Sequence, residues 1–513
     1  MRGLIQLFKQ FLKPSARRFH QALDFPELAQ ASVQQVICDR LVESVYGRSL
    51  EIRSIADWQK VPIINYDDLE PWITRTRAEK PSAGILTPEC ILSFAKTSGS
   101  SGSCKWIPYT RSLQQSFSQM FCVWAQDLIE HGPRFSTGKL YACISPQLIP
   151  QDDASAKVSD RLSGQDDTDY LDGWLQWFLR PFLVSPKQGQ EFHDPQGFMR
   201  QLCQALLQAE RLETISIWSP SFLQVHLNYI QAHRRSLWEA LQQQMSRDRL
   251  QLLTETDIPW TQLWSNLKLI SCWDSANAAD RAEGLRSQFP NVLVQGKGLL
   301  ATEAPITIPL IVAQGYVPVL NEVFFEFEDD TGALCLLHEL SMGKTYTIVL
   351  SQKGGLYRYR LGDRVRVTHW YRQTPCLEFL GRSHATSDLV GEKLSEGFVQ
   401  NAMKQLNLPS SCFKSLVPVA EPPHYLLLLD RATDHPEAIA SQLDRALSQS
   451  YQYHQARLLG QLEAPQVSIS DKIPELLAID RAIAGKIWGG IKHPLLATTA
   501  ICPELLRKLQ AIA

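Results

Sequence analysis

The chain has 513 residues, of which 44% are hydrophobic and 20% charged, a composition typical of an ordinary soluble globular protein. A formal net charge of -2 argues against nucleic acid or an anionic membrane as the main partner. At roughly 150 residues per domain, this length predicts two to four structural units. The 11 cysteines stand singly, without the spacing of a zinc site, so we expect reduced thiols in a cytoplasmic protein.

The first helix expected along the chain is basic and amphipathic. Within residues 1–19, the following apolar residues recur at helical spacing: Leu4, Ile5, Phe8, Phe11 and Leu12. Lys9 and Gln10 interrupt the apolar run that a signal peptide needs. We therefore predict a helix that packs on the following domain, in preference to a membrane-touching helix or a transit peptide. Because no apolar run approaches the ~20 residues that span a bilayer, we expect no stable membrane association.

The remainder of the first 300 residues alternates between extended and helical patterns. Short apolar runs predict strands at residues 91–95, 139–145, 214–218, 267–273 and 292–300. Helical periodicity is found at residues 111–131, 195–250 (with one strand inside) and 276–289, and residues 61–73 read as a short extended piece that turns into a helix. A polar, Asp-rich surface loop is predicted at 152–173. This alternation favours an α/β architecture with mostly parallel strands.

The pattern changes in the last third of the chain. Residues 305–370 are rich in strands, including one at 345–352, and residues 396–513 resemble a smaller α+β unit. The helices and strands expected in that unit are at 396–406, 413–419, 424–430 and 436–451. We therefore predict a large α/β domain over residues 1–382 and a small α+β domain over residues 383–513, joined by a hinge.

A loop rich in glycine and hydroxyl groups follows the strand at 91–95. Gly99 and Gly102 allow backbone N–H groups to converge on an anion without obstruction by a Cβ atom. Lys105 adds one mobile positive charge. Further neutral donors are the hydroxyls of Thr97, Ser98, Ser100 and Ser101. By composition alone, this loop is equally well a flexible turn or an anion-binding loop.

The stretch "TSGSSGSCKWIP" resembles the phosphate loop of adenylate-forming enzymes, and in detail that of the Gretchen Hagen family of acyl-acid amido synthetases. Five other segments resemble motifs of the same family in the same order: Val61–Ile73, Gly296–Leu310, Gly355–Val367, Leu380–Glu396 and Gly485–Pro494. This resemblance implies a large adenylate-forming α/β domain that binds ATP and a carboxylic acid, closed by a small mobile domain.

The resemblance also implies roles for individual residues of the large domain. The loop and Lys105 would hold phosphates, Thr302 would contact a phosphate, and Glu303 would hold Mg²⁺, which requires oxygen ligands of this kind. Asp363 would accept hydrogen bonds from both ribose hydroxyls. The alternatives are a capping glutamate and a turn aspartate. Leu299 stands where the family often has an aromatic residue, so we expect aliphatic packing against adenine there.

Residues of the hinge and small domain complete the implied site. Arg382 and Lys393 would reach the nucleotide in one domain orientation. Lys492 would be the catalytic cation, because negative charge accumulates when a carboxylate attacks the α-phosphorus of ATP. Lys486 is the competing lysine, and the order Lys-x-Pro favours Lys492. An ordinary surface lysine is the alternative.

Two features remain open in the sequence. One face of helix 111–131 carries Phe117, Met120, Phe121 and Trp124, which either line an acyl pocket or belong to the core. In the run Tyr357–Arg360, tyrosines and arginines alternate, so that one pair faces the site and the other faces away.

On this resemblance, the sequence predicts an ATP-dependent, AMP-forming carboxylate–amine ligase that uses ATP and Mg²⁺, with Lys492 and Lys105 as catalytic residues. The expected partners are a small carboxylic acid and an amine, most simply an amino acid, and no nucleic acid. Two alternatives are a ligase with a thiol acceptor (coenzyme A or a carrier protein) and a nucleotide-binding sensor without turnover. The residues identify neither the acid, the amine nor the oligomeric state.

Overall fold

A computed structural model of the protein describes most of the chain. The described residues are 2–80, 83–96, 105–142, 173–184, 195–382, 386–390, 392, 394–409, 411–432, 435–458, 462–483 and 493–512. The predicted Asp-rich loop therefore lies outside the described residues, apart from Gly173. Across the described residues, no helix is both long and apolar enough to cross a bilayer.

Helices dominate the N-terminal part and recur between the strands. In chain order, the helices are α1 (Arg2–Asp24), α2 (Pro26–Glu43), α3 (Val45–Ser49), α4 (Tyr66–Ala78), α5 (Arg111–His131), α6 (Gly173–Leu179), α7 (Pro195–Gln208), α8 (Pro220–Ala232), α9 (Arg234–Leu241), α10 (Arg247–Leu252), α11 (Trp260–Leu263), α12 (Ala279–Gln288), α13 (Glu396–Met403), α14 (Pro436–Leu447), α15 (Tyr451–Leu458), α16 (Ile473–Ile483) and α17 (Pro503–Gln510).

The strands form several sheets of different type. In chain order, the strands are β1 (Ile91–Lys96), β2 (Trp106–Thr110), β3 (Lys139–Ala142), β4 (Leu212–Ser216), β5 (Leu269–Cys272), β6 (Leu293–Gly296), β7 (Thr307–Leu310), β8 (Gly315–Pro318), β9 (Phe324–Glu328), β10 (Leu334–Leu336), β11 (Thr345–Gln352), β12 (Leu356–Tyr371), β13 (Thr374–Arg382), β14 (Thr386–Ser387), β15 (Leu394–Ser395), β16 (Lys414–Val419), β17 (His424–Leu429) and β18 (Gln466–Ile469).

The N-terminal helix α1 packs along α5. Leu12, Phe19 and Leu23 are fully buried, while Phe11 on the other side of the helix is exposed. The apolar stripe read from the sequence therefore covers the protein's own core. The predicted packed helix is confirmed.

The first sheet is parallel, in the order β3-β4-β5-β6. All residues of β5 are buried, as expected for a strand covered on both faces. Helices α7, α8 and α12 share a hydrophobic core with this sheet; Phe198, Leu227 and Leu285 are among its buried members. The predicted α/β architecture with parallel strands is confirmed.

The second sheet is antiparallel, in the order β10-β9-β11-β12-β13. It shares the largest hydrophobic core with α2, α4 and the hairpins β1-β2 and β7-β8. The strand expected before the glycine-rich loop is thus one arm of an antiparallel hairpin. The sequence did not predict its partner β2.

A buried ion pair fastens β12 to β9. The Arg358 guanidinium donates two hydrogen bonds of 2.9 Å to the Glu326 carboxylate and a third, of 2.8 Å, to the carbonyl of Val61. Arg360 makes a second two-pronged contact with Glu328. Both arginines therefore stabilise the sheet through ion pairs between β12 and β9.

The two tyrosines of the same run face the core. Tyr357 and Tyr359 are 1% and 2% exposed, and the Tyr357 hydroxyl donates to the carbonyl of Leu86. The alternation in Tyr357–Arg360 thus separates core aromatics from structural ion pairs.

The C-terminal residues build cores of their own around the sheet β16-β17-β18. Leu416 and Leu427 are fully buried there, as is Leu443 of α14. The helix predicted at 436–451 is interrupted, because α14 ends at Leu447 and α15 begins at Tyr451. The other strands and helices predicted between 396 and 430 are present.

The C-terminal unit contacts the parallel-sheet layer at two places. Ala478 of α16 is buried in the core around α7 and α8. The Lys414 ammonium lies 3.3 Å from the Asp280 carboxylate of α12, and the Arg281 guanidinium lies 4.6 Å from the centre of the Phe413 ring. A salt bridge and a cation–π contact thus join the two units.

The segment after residue 382 is tied to the C-terminal unit by Glu392. Its fully buried carboxylate accepts hydrogen bonds of 2.8 Å from the amides of Leu389 and Val390, and another from the Tyr425 hydroxyl. The same hydroxyl lies 2.9 Å from the Ser387 hydroxyl. Residues 387–390 and 392 are therefore fixed against β17.

Several cysteines lie in the core. Cys38, Cys203 and Cys376 are buried, and no disulfide joins cysteines of the described residues. Burial raises the pKa of the Cys376 thiol to about 12. Such thiols stay protonated and unreactive at neutral pH.

We expect Glu326→Ala to destabilise the protein strongly, because it leaves the Arg358 guanidinium buried without its carboxylate. The expected loss is about 3–5 kcal/mol of unfolding free energy. Glu378→Ala is the matched control, because the Arg366–Glu378 pair in the same sheet is exposed; its loss should be about 0–1 kcal/mol. The measurement is urea denaturation of both variants. Equal losses of unfolding free energy would contradict a larger contribution of the buried pair.

We also expect His226 to make the fold sensitive to acid. Burial within α8 lowers the pKa of His226 to about 3, from 6.5 in the unfolded chain. Below pH 6.5 only the unfolded chain gains this proton, so stability falls as the pH drops towards 3. Between pH 7 and 5, the unfolding free energy of His226→Leu should fall by about 2 kcal/mol less than that of the wild type. The measurement is denaturation at several pH values. His435→Leu, at an exposed position, is the control and should leave the dependence of stability on pH unchanged. An unchanged dependence in His226→Leu would contradict the role of His226.

Candidate functional site

The carboxyl ends of β4, β5 and β6 lie side by side, at Ser216, Cys272 and Gly296. Open parallel sheets bind ligands at this edge, because the loops that leave the strands there surround a crevice. Trp218 and Trp273, which follow β4 and β5, lie next to each other with ring centres 5.7 Å apart. The edge therefore carries aromatic side chains beside polar ones.

Lys297 crosses this edge. Its backbone amide donates to the carbonyl of Cys272, which continues the pairing of β6 with β5. Its side chain extends past β5 to β4, where the ammonium lies 2.7 Å from the Ser216 hydroxyl and 4.7 Å from the centre of the Trp218 ring. The side chain is half-buried, so its charge stands at the mouth of the crevice.

Asp274 organises the loop that follows β5. Its carboxylate accepts hydrogen bonds from the Tyr316 hydroxyl and, at 3.4 Å, from Arg286. Burial, followed by the adjacent Asp274 charge, raises the pKa of Tyr316, which stays a hydrogen-bond donor. A Cβ atom at Gly296 would overlap the Asp274 carboxylate and the Tyr316 hydroxyl, so only glycine fits beside this pair.

Ala276 in the same loop has a φ of 49°, which is uncommon for a residue with a side chain. Strain of this kind concentrates at functional sites. No motif in the sequence indicates a functional role for the segment Trp273–Ala276. Its position directly after a strand of the parallel sheet is the signal that could have identified it.

Thr302 and Glu303 lie in a tight turn of the segment that links β6 to β7. Ala301 and Ala304, which flank them, exchange backbone hydrogen bonds of 3.2 Å, and Leu300 bridges to Pro305. Glu303 is 6% exposed. The turn therefore holds a buried carboxylate next to a hydroxyl.

A buried carboxylate of this kind fits Mg²⁺, which prefers oxygen ligands. No cluster of three His, Cys, Asp or Glu side chains that could hold a metal occurs within the described part of the chain.

Leu299, at the start of this segment, is buried in the largest core. Its amide donates a 2.8 Å hydrogen bond to the Thr307 hydroxyl. The preceding Gly298 has a φ of 71°, and a Cβ atom there would press against Thr307. The Gly–Leu pair thus turns the chain away from the sheet edge.

Asp363 and Arg382 lie directly opposite each other on β12 and β13. Asp363 is 2% exposed. Their neighbours Gly362 and Gly381 have φ values of 82° and 127°, which a residue with a side chain rarely adopts. The structure therefore brings together two predicted nucleotide residues that are far apart in sequence.

Lys105 lies at the base of the glycine-rich loop. Its ammonium is 5.3 Å from the centre of the Tyr66 ring, and the Tyr66 hydroxyl accepts a 2.7 Å hydrogen bond from the amide of Trp106. Ile64, two residues before Tyr66, pairs through its backbone with Arg358 and Arg360 of β12. Lys105 is thereby held beside the strand that carries Asp363.

Helix α5 packs on hydrophobic cores and also contacts β6. Phe117 is buried and stacks on Tyr109, so it belongs to the core. Phe121 and Trp124 are half-buried neighbours, and the Trp124 indole donates to the Gln295 side chain of β6 at 2.9 Å. Trp124 thus connects α5 to the nucleotide segment.

Some predicted site residues lie outside the described residues. They are Thr97, Ser98, Gly99, Ser100, Ser101, Gly102, Lys393, Lys486 and Lys492. Arg382 is described for its backbone only.

Family models match the chain in three consecutive pieces. The GH3 family N-terminal domain matches residues 15–294, the central domain residues 316–382 and the C-terminal domain residues 396–500. Among curated proteins, the 4-substituted benzoates-glutamate ligase GH3.12 of Arabidopsis thaliana is 22% identical over 435 residues, which cover 75% of this chain and 71% of that protein.

Solved structures agree with the family match. The acyl acid amido synthetase AtGH3.15 in complex with 2,4-DB superimposes with a TM-score of 0.77 at 18% identity, covering 98% of this chain and 96% of that chain. A 2-hydroxyisobutyryl-CoA ligase in the postadenylation state matches with a TM-score of 0.53 at 14% identity, covering 94% and 92%. The predicted fold of adenylate-forming type is confirmed.

Proposed function

Because this chain belongs to the GH3 family, we propose that it is an ATP-dependent acyl-acid amido synthetase. It would join a carboxylic acid to an amine, most simply an amino acid, and release AMP and pyrophosphate. The observation that carries this proposal is the match to all three domains of the family, in their order, between residues 15 and 500.

In the first step, a carboxylate oxygen attacks the α-phosphorus of ATP and pyrophosphate leaves. The loop Thr97–Gly102 and Lys105 would hold the β- and γ-phosphates, and Thr302 would contact a phosphate. Asp363 would accept hydrogen bonds from the ribose hydroxyls, which suits a carboxylate with two acceptor oxygens. The backbone pairing of Asp363 with Arg382 supports placing the nucleoside at this point of the sheet.

Mg²⁺ bound at Glu303 would offset the charge of the phosphates when ATP is bound. Glu303 is the residue we assign to it, on the buried turn described above. The metal and a cytoplasmic location stay predictions from the sequence.

In the second step, the amine nitrogen attacks the activated carbonyl carbon, loses a proton and displaces AMP.

The small domain, which we place at residues 383–513, would supply Lys393 and Lys492. Lys492 would stabilise charge at the α-phosphorus during adenylation. The Asp280–Lys414 salt bridge supports close docking of this domain on the large one.

The experiment that tests the proposal is ATP–pyrophosphate exchange screened over aryl, indolyl and aliphatic acids. We expect exchange with at least one acid. Addition of amino acids should then consume the adenylate and yield AMP and an amide. Absence of exchange with every acid would favour a nucleotide-binding sensor, and consumption only by coenzyme A would show a thioester-forming ligase.

We expect Lys492→Ala to reduce acid-dependent exchange about 100-fold or more, because it removes the cation at the developing charge. The measurement is the exchange rate at saturating ATP. Lys472→Ala, at an exposed position of the same domain, should leave the rate unchanged. Retained exchange in Lys492→Ala, with loss in Lys486→Ala, would move the catalytic role to Lys486.

A further inference from the structure

Within the described residues, the carboxyl edge of the parallel sheet carries a cation to which the sequence analysis gave no role. Lys297 reaches from the end of β6 across β5 to the end of β4, a path set by its amide bond to Cys272 and by the contact of its ammonium with Ser216. Ser216 is the last residue of β4 and Trp218 follows it by two residues, and the Lys297 ammonium contacts both side chains. The ammonium therefore lies between a hydroxyl and an indole face.

This arrangement suits recognition of an organic anion. The Ser216 hydroxyl can donate as well as accept, so it and Lys297 together offer two donors to one carboxylate. The indoles of Trp218 and Trp273 provide an apolar wall beside these donors. Binding sites for small organic molecules combine an apolar lining with a few polar groups in this manner.

The position along the chain places this cation next to the segment to which we assign the phosphates. Lys297 precedes the turn with Thr302 and Glu303 in the same β6–β7 connection, and Trp124 of α5 bonds to β6 from the adjacent side. The carboxylate must approach the phosphates of ATP, and both are anionic. A fixed ammonium at the sheet edge offsets this repulsion before the reaction begins.

We propose that Lys297, with Ser216, binds the carboxylate of the acid substrate, and that Trp218 and Trp273 contact the body of the acid. This inference rests on the proposed acyl-acid amido synthetase function. It assigns Lys297 to acid binding, with the nucleotide held by other residues.

The test compares Lys297→Met with Lys297→Arg in the full chain, using the acid that supports the fastest wild-type exchange. Loss of a hydrogen bond to a charged group costs about 1.5–3 kcal/mol, so Lys297→Met should raise the KM for the acid roughly 10- to 150-fold. The KM for ATP should stay within about 2-fold of the wild type, since the phosphate contacts are intact. Lys297→Arg should recover most of the acid affinity, because it keeps the charge.

Lys139→Met is the matched control. Lys139 lies at the amino end of β3 in the same sheet and donates to the carbonyl of Pro181. We expect its KM values to equal those of the wild type. An unchanged acid KM in Lys297→Met, an equal rise in both KM values, or the same effect in Lys139→Met would each overturn the inference.

Direct binding separates this inference from the proposed function. Calorimetric titration of the acid into protein saturated with a non-hydrolysable ATP analogue should show affinity for the wild type and its loss in Lys297→Met. If the wild type binds acid through Lys297 but catalyses no exchange, the proposed function fails and the binding role stands. If exchange is normal and both proteins bind acid equally, the role of Lys297 fails alone; if no acid binds the wild type, both fail.

Discussion

The buried contact between Arg358 and Glu326 fixes β12, the strand that carries Asp363. Arg358 has a φ of 46°, an unusual value for a large side chain, and three hydrogen bonds hold it there. One of these goes to Val61, so the same guanidinium anchors the chain that leads into α4. Ile64 then exchanges backbone hydrogen bonds with Arg358 and Arg360 of β12. The Lys105 ammonium lies near the ring of Tyr66, the first residue of α4. Removing one charged partner from this network leaves the other buried without compensation.

The two sheets divide the chemistry between them. The antiparallel sheet carries Asp363, opposite Arg382, at a point where flanking glycines relax the usual backbone limits. The parallel sheet ends in the indoles and the ammonium of Lys297. The segment from β6 to β7 leads from the parallel sheet to the hairpin β7-β8, which packs in the core of the antiparallel sheet, and it carries Glu303. A reaction between an acid and a nucleotide needs such a junction, because the two substrates must meet at one atom.

Local patterns predicted the elements that local physics determines. The helix at 111–131 has the bounds read from the sequence, because an apolar stripe follows Thr110, whose hydroxyl caps the first turn by accepting from Leu113. The strand Thr345–Gln352 was likewise predicted at its observed bounds. In both, periodicity and end residues agree.

Features that depend on distant partners escaped prediction. Strand β2 contains Pro108, which argues against a strand, and only pairing with β1 across the glycine-rich loop makes it one. The role of Asp274 depends on Tyr316 and Arg286, which reach it from other elements. The family resemblance supplied the remaining site residues, since spacing alone left the loop ambiguous between a turn and an anion site.

The hairpin β1-β2 has a consequence for the loop that it closes. Lys96 and Trp106 are paired across the two strands, so both ends of the connection 97–105 are held at the separation of neighbouring strands. The entropy of bringing those ends together is already lost when the hairpin folds. If the connection binds an anion as we propose, closing its ends adds nothing to the entropic penalty of binding.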